Sequence, residues 1–194
     1  MIRRWLPDLL TLARLASAPF LTWLLLEREY RGALALAAAA GVTDWLDGFA
    51  ARRLHASGPL GVVLDPFADK VLLVVLFLTL GWVRLIPGWL VALVIGRDVV
   101  IVLGAALLRI TRGIRRFLPS LLGKISTFFQ IALVVSVLSQ AAFPSVLFAL
   151  LKSAAIVLTC IFTVASGVAY VLQGIRMAQG KQDDMRARAS FGSG

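Results

Sequence analysis

The sequence predicts an all-α integral membrane protein, six transmembrane helices in one bundle. Three observations lead there. The 194 residues are 60% hydrophobic with a mean hydropathy of +0.90, whereas ordinary globular domains are about 45–50% apolar. Apolar runs at 71–83, 85–96, 99–108, 131–151 and 153–171 exceed what one soluble core can use, and a bilayer crossing takes about 20 mostly apolar residues. The net charge of +10 is distributed in alternation along the chain.

Helix is the expected state of each span, because isolated backbone in lipid must satisfy its own hydrogen bonds. The first span is placed at 8–27, with residues 2–7 as a short interfacial helix whose Trp5 and arginines suit the headgroup level. The second, 33–54, begins with a run of Ala, Leu and Gly over 33–41 that favours close helix packing. Gly58-Pro59 separates it from the third, 60–82. Pro87-Gly88 opens the fourth, 86–109; Pro119 opens the fifth, 120–140; Pro144 precedes the sixth, 147–175. Residues 1–180 are expected to form one membrane domain and 181–194 a polar C-terminal tail.

Basic residues gather at Arg3–Arg4, at Arg52–Arg53, from Arg109 to Lys124 and from Arg176 to Arg188. The intervening connections are lighter: Arg28 and Arg31 are offset by Glu27 and Glu29, and Arg84 and Lys152 stand alone. The positive-inside rule then puts both termini and the 52–60 and 109–124 connections in the cytoplasm. Nucleic-acid binding is not expected, because the charges are spread over the loops between spans. The single Cys160 excludes a disulfide within the chain. Residues 1–7 and the span after them lack a cleavable signal pattern.

Four aspartates, Asp44, Asp47, Asp65 and Asp69, fall within 26 positions of a chain with ten acidic residues. Carboxylates at membrane depth are costly unless neutralised, which marks the cluster as a functional site. Asp44 and Asp47 share one helix face, as do Asp65 and Asp69. The short connection at 56–61 makes their two helices antiparallel neighbours, so the pairs can face each other. Four such charges need protons or metal ions. Metal is the better reading: the candidate donors are all oxygen, which suits Mg²⁺, Mn²⁺ or Ca²⁺, and two divalent ions balance four carboxylates. Gly48 and Ala51 continue the face of Asp44 and Asp47 and leave room for a ligand. The competing reading is an ion-coupled transporter with an aspartate relay; the absence of an internal repeat argues against an inverted-repeat transporter.

Asp44-x-x-Asp47-Gly48-x-x-Ala51-Arg52, eight residues, then Gly61-x-x-x-Asp65-x-x-x-Asp69 resembles the full motif of the CDP-alcohol phosphatidyltransferases at all eight fixed positions. The resemblance implies a six-helix membrane fold with a cytoplasm-facing active-site cleft, and it covers nearly the whole chain. It also implies two Mg²⁺ or Mn²⁺ ions held by Asp44, Asp47, Asp65 and Asp69, with Asp69 as general base. Gly48, Ala51, Arg52 and Gly61 would line the CDP site, with Thr43 a weaker nucleotide contact. The donor would be CDP-diacylglycerol and the leaving group CMP. A homodimer is typical of the family. The first span often opens Pro-Asn-Leu-Leu-Thr-x-x-Arg there; here Asp8 follows Pro7, ahead of Leu9, Leu10, Thr11 and Arg14.

The acceptor is read from the later spans. Phosphatidylglycerophosphate synthases usually carry Arg-Glu at the fourth span and Gly-Lys-x-Lys-Thr at the fifth. This chain has Arg97-Asp98 and Gly123-Lys124-Ile125-Ser126-Thr127, so Ser126 lacks the second lysine charge. The surrounding stretches, and SGVAY at 166–170, look more like CDP-alcohol-type cardiolipin synthases. Phosphatidylglycerol is therefore the expected acceptor, bound by Arg97 and Lys124, with glycerol 3-phosphate as the alternative. The competing reading of Arg97 and Asp98 is that they compensate each other. High Ala, Leu and Arg content points to a bacterial cytoplasmic membrane, with a mitochondrial inner membrane as the alternative.

Overall fold

The computed structural model describes the backbone of residues 6–54, 61–112 and 121–191, and side chains over 16–43, 70–108, 110, 121–175 and 177. These residues form six helices: α1 Leu6–Leu26, α2 Tyr30–Leu54, α3 Gly61–Trp82, α4 Gly88–Arg112, α5 Leu121–Ala142 and α6 Val146–Phe191. The expected elements are all present, within a few residues at each end except the last. The expected helix at 2–7 falls mostly outside the described residues, as do the breaks at Gly58-Pro59 and Pro119.

Among the described residues, three helices are long and apolar enough to cross a membrane: Gly88–Leu108, Leu121–Ala142 and Val146–Ile175. Shorter apolar stretches run over Ala16–Leu26 and Lys70–Trp82. α2 is the least apolar of the six in sequence, with Arg31, Asp44, Asp47, Arg52 and Arg53 along it. α6 continues well past its apolar part to Phe191, so residues 181–191 of the expected polar tail are helical.

Two connections share one closure. At the end of α1, the Glu29 N–H donates to Leu24 O at 2.8 Å and the Arg28 N–H to Leu25 O at 3.2 Å. At the end of α3, the Leu85 N–H donates to Leu80 O at 2.9 Å and the Arg84 N–H to Gly81 O at 3.1 Å. Both are Schellman motifs, which need a left-handed residue just past the helix and usually recruit glycine. Arginine takes that place in both, with φ of 61° at Arg28 and 59° at Arg84. α6 starts on a side-chain cap, the Ser145 Oγ accepting from the Phe148 N–H at 3.2 Å.

The chain divides into two compact units, Met1–Val91 with Ile131–Ala155, and Ala92–Gln130 with Ile156–Gly194. In the first, α1 packs against both α2 and α3. Leu21 and Leu25 of α1 and Phe77 and Leu80 of α3 are among its fully buried side chains. The Thr22 and Thr79 hydroxyls lie 3.4 Å apart across the α1–α3 seam, and each also donates to a carbonyl of its own helix. The N-terminal end of α2 is held by Arg31, whose guanidinium sits 5.2 Å from the Phe143 ring centroid and donates from Nε to Ala142 O at 3.5 Å.

The second unit is stitched by buried hydroxyls. Ser126, Thr159, Thr163 and Ser166 are all fully buried. The Thr159 hydroxyl of α6 donates to Phe129 O of α5 at 3.0 Å. Ser126 Oγ lies 3.4 Å from Thr163 Oγ1 and accepts from Gln130 Nε2 at 3.4 Å. Phe129 and Phe162 stack with centroids 4.7 Å apart. Apolar packing and small hydroxyl side chains are the usual means of joining helices where lipid removes the hydrophobic drive.

Candidate active site

The aspartate motif lies on two helices of the first unit. Asp44, Asp47, Gly48, Ala51 and Arg52 are on the C-terminal half of α2. Gly61 is the first residue of α3, and Asp65 and Asp69 follow within it. At about 100° per residue, positions three or four apart stay within roughly 40–60° of one face. Each helix therefore carries its two aspartates on one side. α1 is the common partner of both helices. The motif side chains from Asp44 to Asp69, and the 55–60 connection, lie outside the described residues. The expected facing of the two pairs falls there too.

Thr43 marks the near edge of the motif. It is exposed, and its hydroxyl donates to Ala39 O at 2.7 Å. Its proton is thus used within α2, leaving its oxygen as an acceptor. The donor set of the motif is four carboxylates, the hard-oxygen chemistry that divalent Mg²⁺ or Mn²⁺ prefers. The residues present fit such ions. Among the described residues, groups of three or more His, Cys, Asp or Glu are absent.

The two expected acceptor residues belong to the second unit. Lys124 is exposed on α5. Arg97, on α4, is half-buried as a residue, but its side chain is largely covered and heavily engaged. Its Nη1 pairs with Asp98 Oδ1 at 2.7 Å, with side chains 7% and 11% exposed. Its Nη2 donates to Ser166 Oγ of α6. The Tyr170 ring centroid lies 5.8 Å from its Cζ. The compensation of Arg97 by Asp98 is thus realised, and it leaves Nε as a buried N–H without a hydrogen-bond partner.

Ser166, Thr163 and Tyr170 were not among the expected site residues. The signal for them is the spacing of Thr159, Thr163, Ser166 and Tyr170, four, three and four apart in an apolar helix. That is a polar stripe on one face of α6.

Comparison with known proteins bears on what this arrangement does. The profile of the CDP-alcohol phosphatidyltransferase family matches residues 4–169. The chain is 34% identical over 154 residues to the cardiolipin synthase (CMP-forming) of Rattus norvegicus, covering 71% of this chain and 51% of that protein. It is 35% identical over 129 residues to the cardiolipin synthase (CMP-forming) of Streptomyces coelicolor, covering 63% and 60%. It is 32% identical over 176 residues to the CDP-diacylglycerol--glycerol-3-phosphate 3-phosphatidyltransferase of Aquifex aeolicus, covering 88% and 96%. Against the animal and plant relatives the chain spans about half of their length.

Proposed function

The chain belongs to the CDP-alcohol phosphatidyltransferase family, and from that premise we propose that it makes cardiolipin, transferring the phosphatidyl group of CDP-diacylglycerol to phosphatidylglycerol with release of CMP. The observation that carries the chemistry is the eight-position motif, with its aspartates in pairs on α2 and α3. The family names of the relatives divide between two acceptors, so the acceptor is argued from this chain's own residues.

Divalent ions are general in the family, and Asp44, Asp47, Asp65 and Asp69 would hold two of them. When bound, they supply the positive charge that neutralises a pyrophosphate. Asp69 takes the proton of the acceptor hydroxyl as its oxygen attacks the phosphorus bearing diacylglycerol. The bond from that phosphorus to the CMP oxygen breaks, CMP leaves with the electron pair, and the proton passes from Asp69 to solvent. Arg52 binds phosphate oxygens. Gly48 and Ala51 keep the helix surface low beside the nucleotide, with Gly61 at the start of α3 and the Thr43 oxygen completing that side.

A lipid acceptor is favoured by the second unit. Asp98 cancels the charge of Arg97 at 2.7 Å. The position where the other synthases carry a second lysine is Ser126, fully buried against Thr163 and Gln130. A dianionic acceptor would want more positive charge than this; a monoanionic phosphodiester needs less. Arg97 and Lys124 are the residues proposed to meet it.

Three long apolar helices among the described residues support a membrane protein. In our reading α1–α3 also cross, giving six spans, and residues 1–180 act as one domain whose cleft opens to the cytoplasm. Both termini then lie in the cytoplasm of a bacterial cell, and two copies pair as a homodimer. The test is direct. Purified protein receives CDP-diacylglycerol and Mg²⁺ or Mn²⁺, with phosphatidylglycerol in one tube and glycerol 3-phosphate in another. Cardiolipin and CMP are expected in the first. Product only in the second would remove the cardiolipin assignment and leave the family chemistry standing.

A further inference from the structure

The closures after α1 and α3 carry a strain that the helices themselves do not require. Arg28 and Arg84 hold φ at 61° and 59°, the left-handed position that glycine fills without strain. A cation there does answer the negative end of the helix dipole. The same charge one turn earlier would answer it unstrained, yet the last turns of α1 and α3 hold no basic residue. Both arginines are exposed. Among the described residues, neither guanidinium has a hydrogen bond or an ion pair. Arg31, by contrast, is engaged by Ala142 O and the Phe143 ring. Glu27 and Glu29 flank Arg28, exposed and likewise unpaired among the described residues.

The two connections lie side by side. α1 packs along α3, and Thr22 near the end of α1 meets Thr79 near the end of α3 at 3.4 Å. The apolar stretches stop at Leu26 and Trp82, so both arginines stand just past apolar depth. Trp82 and Trp89, 81% and 56% exposed, flank the α3–α4 connection, and tryptophan collects at the headgroup level. The aspartate motif is at the other end: along α3, Asp69 is roughly 20 Å from Trp82 at the helical rise.

We propose that this end of the bundle binds the headgroup of a zwitterionic aminophospholipid, its phosphate between Arg28 and Arg84 and its ammonium against Glu27 and Glu29. The site is separate from the transfer reaction and takes no part in it. Guanidinium meets a phosphodiester with paired N–H donors, and a carboxylate meets an ammonium with the opposite charge. The charged residues of the two connections are two acids and two bases, Glu27, Arg28, Glu29 and Arg84. That balance complements a headgroup carrying both signs better than it does an anion. The left-handed strain is then explained, because it sets each cation beyond the helix end, where lipid phosphate lies.

The test uses purified protein in neutral detergent without CDP-diacylglycerol or divalent ions. It receives phosphatidylethanolamine, phosphatidylmethanol or glycerophosphoethanolamine. The second is anionic and lacks both the amine and an acceptor hydroxyl; the third is the headgroup without chains. Thermal unfolding is followed with a thiol-reactive dye at Cys160. Phosphatidylethanolamine should raise Tm by roughly 5–10 °C at a hundredfold excess over its Kd. Phosphatidylmethanol should need about tenfold more lipid for the same rise, the worth of two exposed charge contacts together. Glycerophosphoethanolamine should leave Tm unchanged. The double variant Arg28→Gly, Arg84→Gly should keep or raise the lipid-free Tm and lose the rise with phosphatidylethanolamine. Glu27→Gln with Glu29→Gln should keep a rise and lose the preference over phosphatidylmethanol. The proposal is overturned by a rise that survives in the glycine variant, by a preference for phosphatidylmethanol, or by an equal rise with the chainless headgroup. A lower lipid-free Tm for the glycine variant also overturns it, since the arginines would then serve the fold itself.

Discussion

Asp98→Asn isolates the electrostatic centre of the second unit. Arg97 and Asp98 are 2.7 Å apart with side chains 7% and 11% exposed. Removing one charge from a buried pair typically costs about 3–5 kcal/mol, because the surviving charge is left without compensation. Asparagine keeps a neutral acceptor near Nη1, so the lower end, about 3 kcal/mol, is expected. For a chain of this size each kcal/mol moves Tm by about 2–4 °C, giving a fall of roughly 6–12 °C. The single Cys160, half-buried on α6, serves as the reporter. A thiol-reactive dye added to detergent-solubilised protein reads its exposure as the temperature rises. The double variant Arg97→Met, Asp98→Leu removes both charges and should recover most of the loss, since apolar replacement of a buried pair is often neutral. A Tm for Asp98→Asn within about 2 °C of wild type, or a double variant no better than the single, would refute the idea that this pair is buried and mutually compensated.

Three further variants test the packing and the turns. Leu133→Ala should cost about 2–5 kcal/mol, read as a lower Tm in the same assay, because Leu133 is fully buried. Gly81→Ala should cost about 1–3 kcal/mol, since its Cβ would stand 2.7 Å from Val91 Cγ2; pairing it with Val91→Ala should return part of that loss. Arg28→Gly should stabilise by about 0.5–1 kcal/mol, because Arg28 holds φ at 61°, where an L side chain is disfavoured and glycine is not. A lower Tm for that variant would show that the arginine side chain contributes more at the turn than its backbone strain removes.

Hydropathy made most of the fold legible. The apolar runs locate all six helices, and Pro87-Gly88 and Pro144 give the starts of α4 and α6. The closures after α1 and α3 were not legible, because the left-handed position usually announces itself as glycine, and here it is Arg28 and Arg84. The extension of α6 to Phe191 was hidden for a different reason. Its last turns, KQDDMRARASF, are polar but rich in good helix formers. A hydropathy criterion ends the helix where lipid ends, whereas propensity carries it on.

The site divides in the same way. Four carboxylates in an apolar chain stand out because their cost demands an explanation, and their spacing alone pairs them on helix faces. Arg97 and Asp98 could be named as charges in an apolar run. Their closure by Ser166 could not, because that contact joins residues 69 apart in sequence, and such pairings are set by helix packing rather than by local period. The unsatisfied Nε is likewise visible only once every neighbour is in place.

The most direct measurement is the release of CMP from CDP-diacylglycerol in the presence of phosphatidylglycerol, followed as Mg²⁺ or Mn²⁺ is added and then chelated, for wild type and for Asp69→Asn. Wild-type protein should release CMP only with the divalent ion present. Asp69→Asn should keep the wild-type Tm within a few degrees and lose about 10²–10⁴-fold in rate, the usual contribution of a general base. CMP release that persists under chelation, or survives Asp69→Asn undiminished, would contradict a reaction centred on the aspartates of α2 and α3.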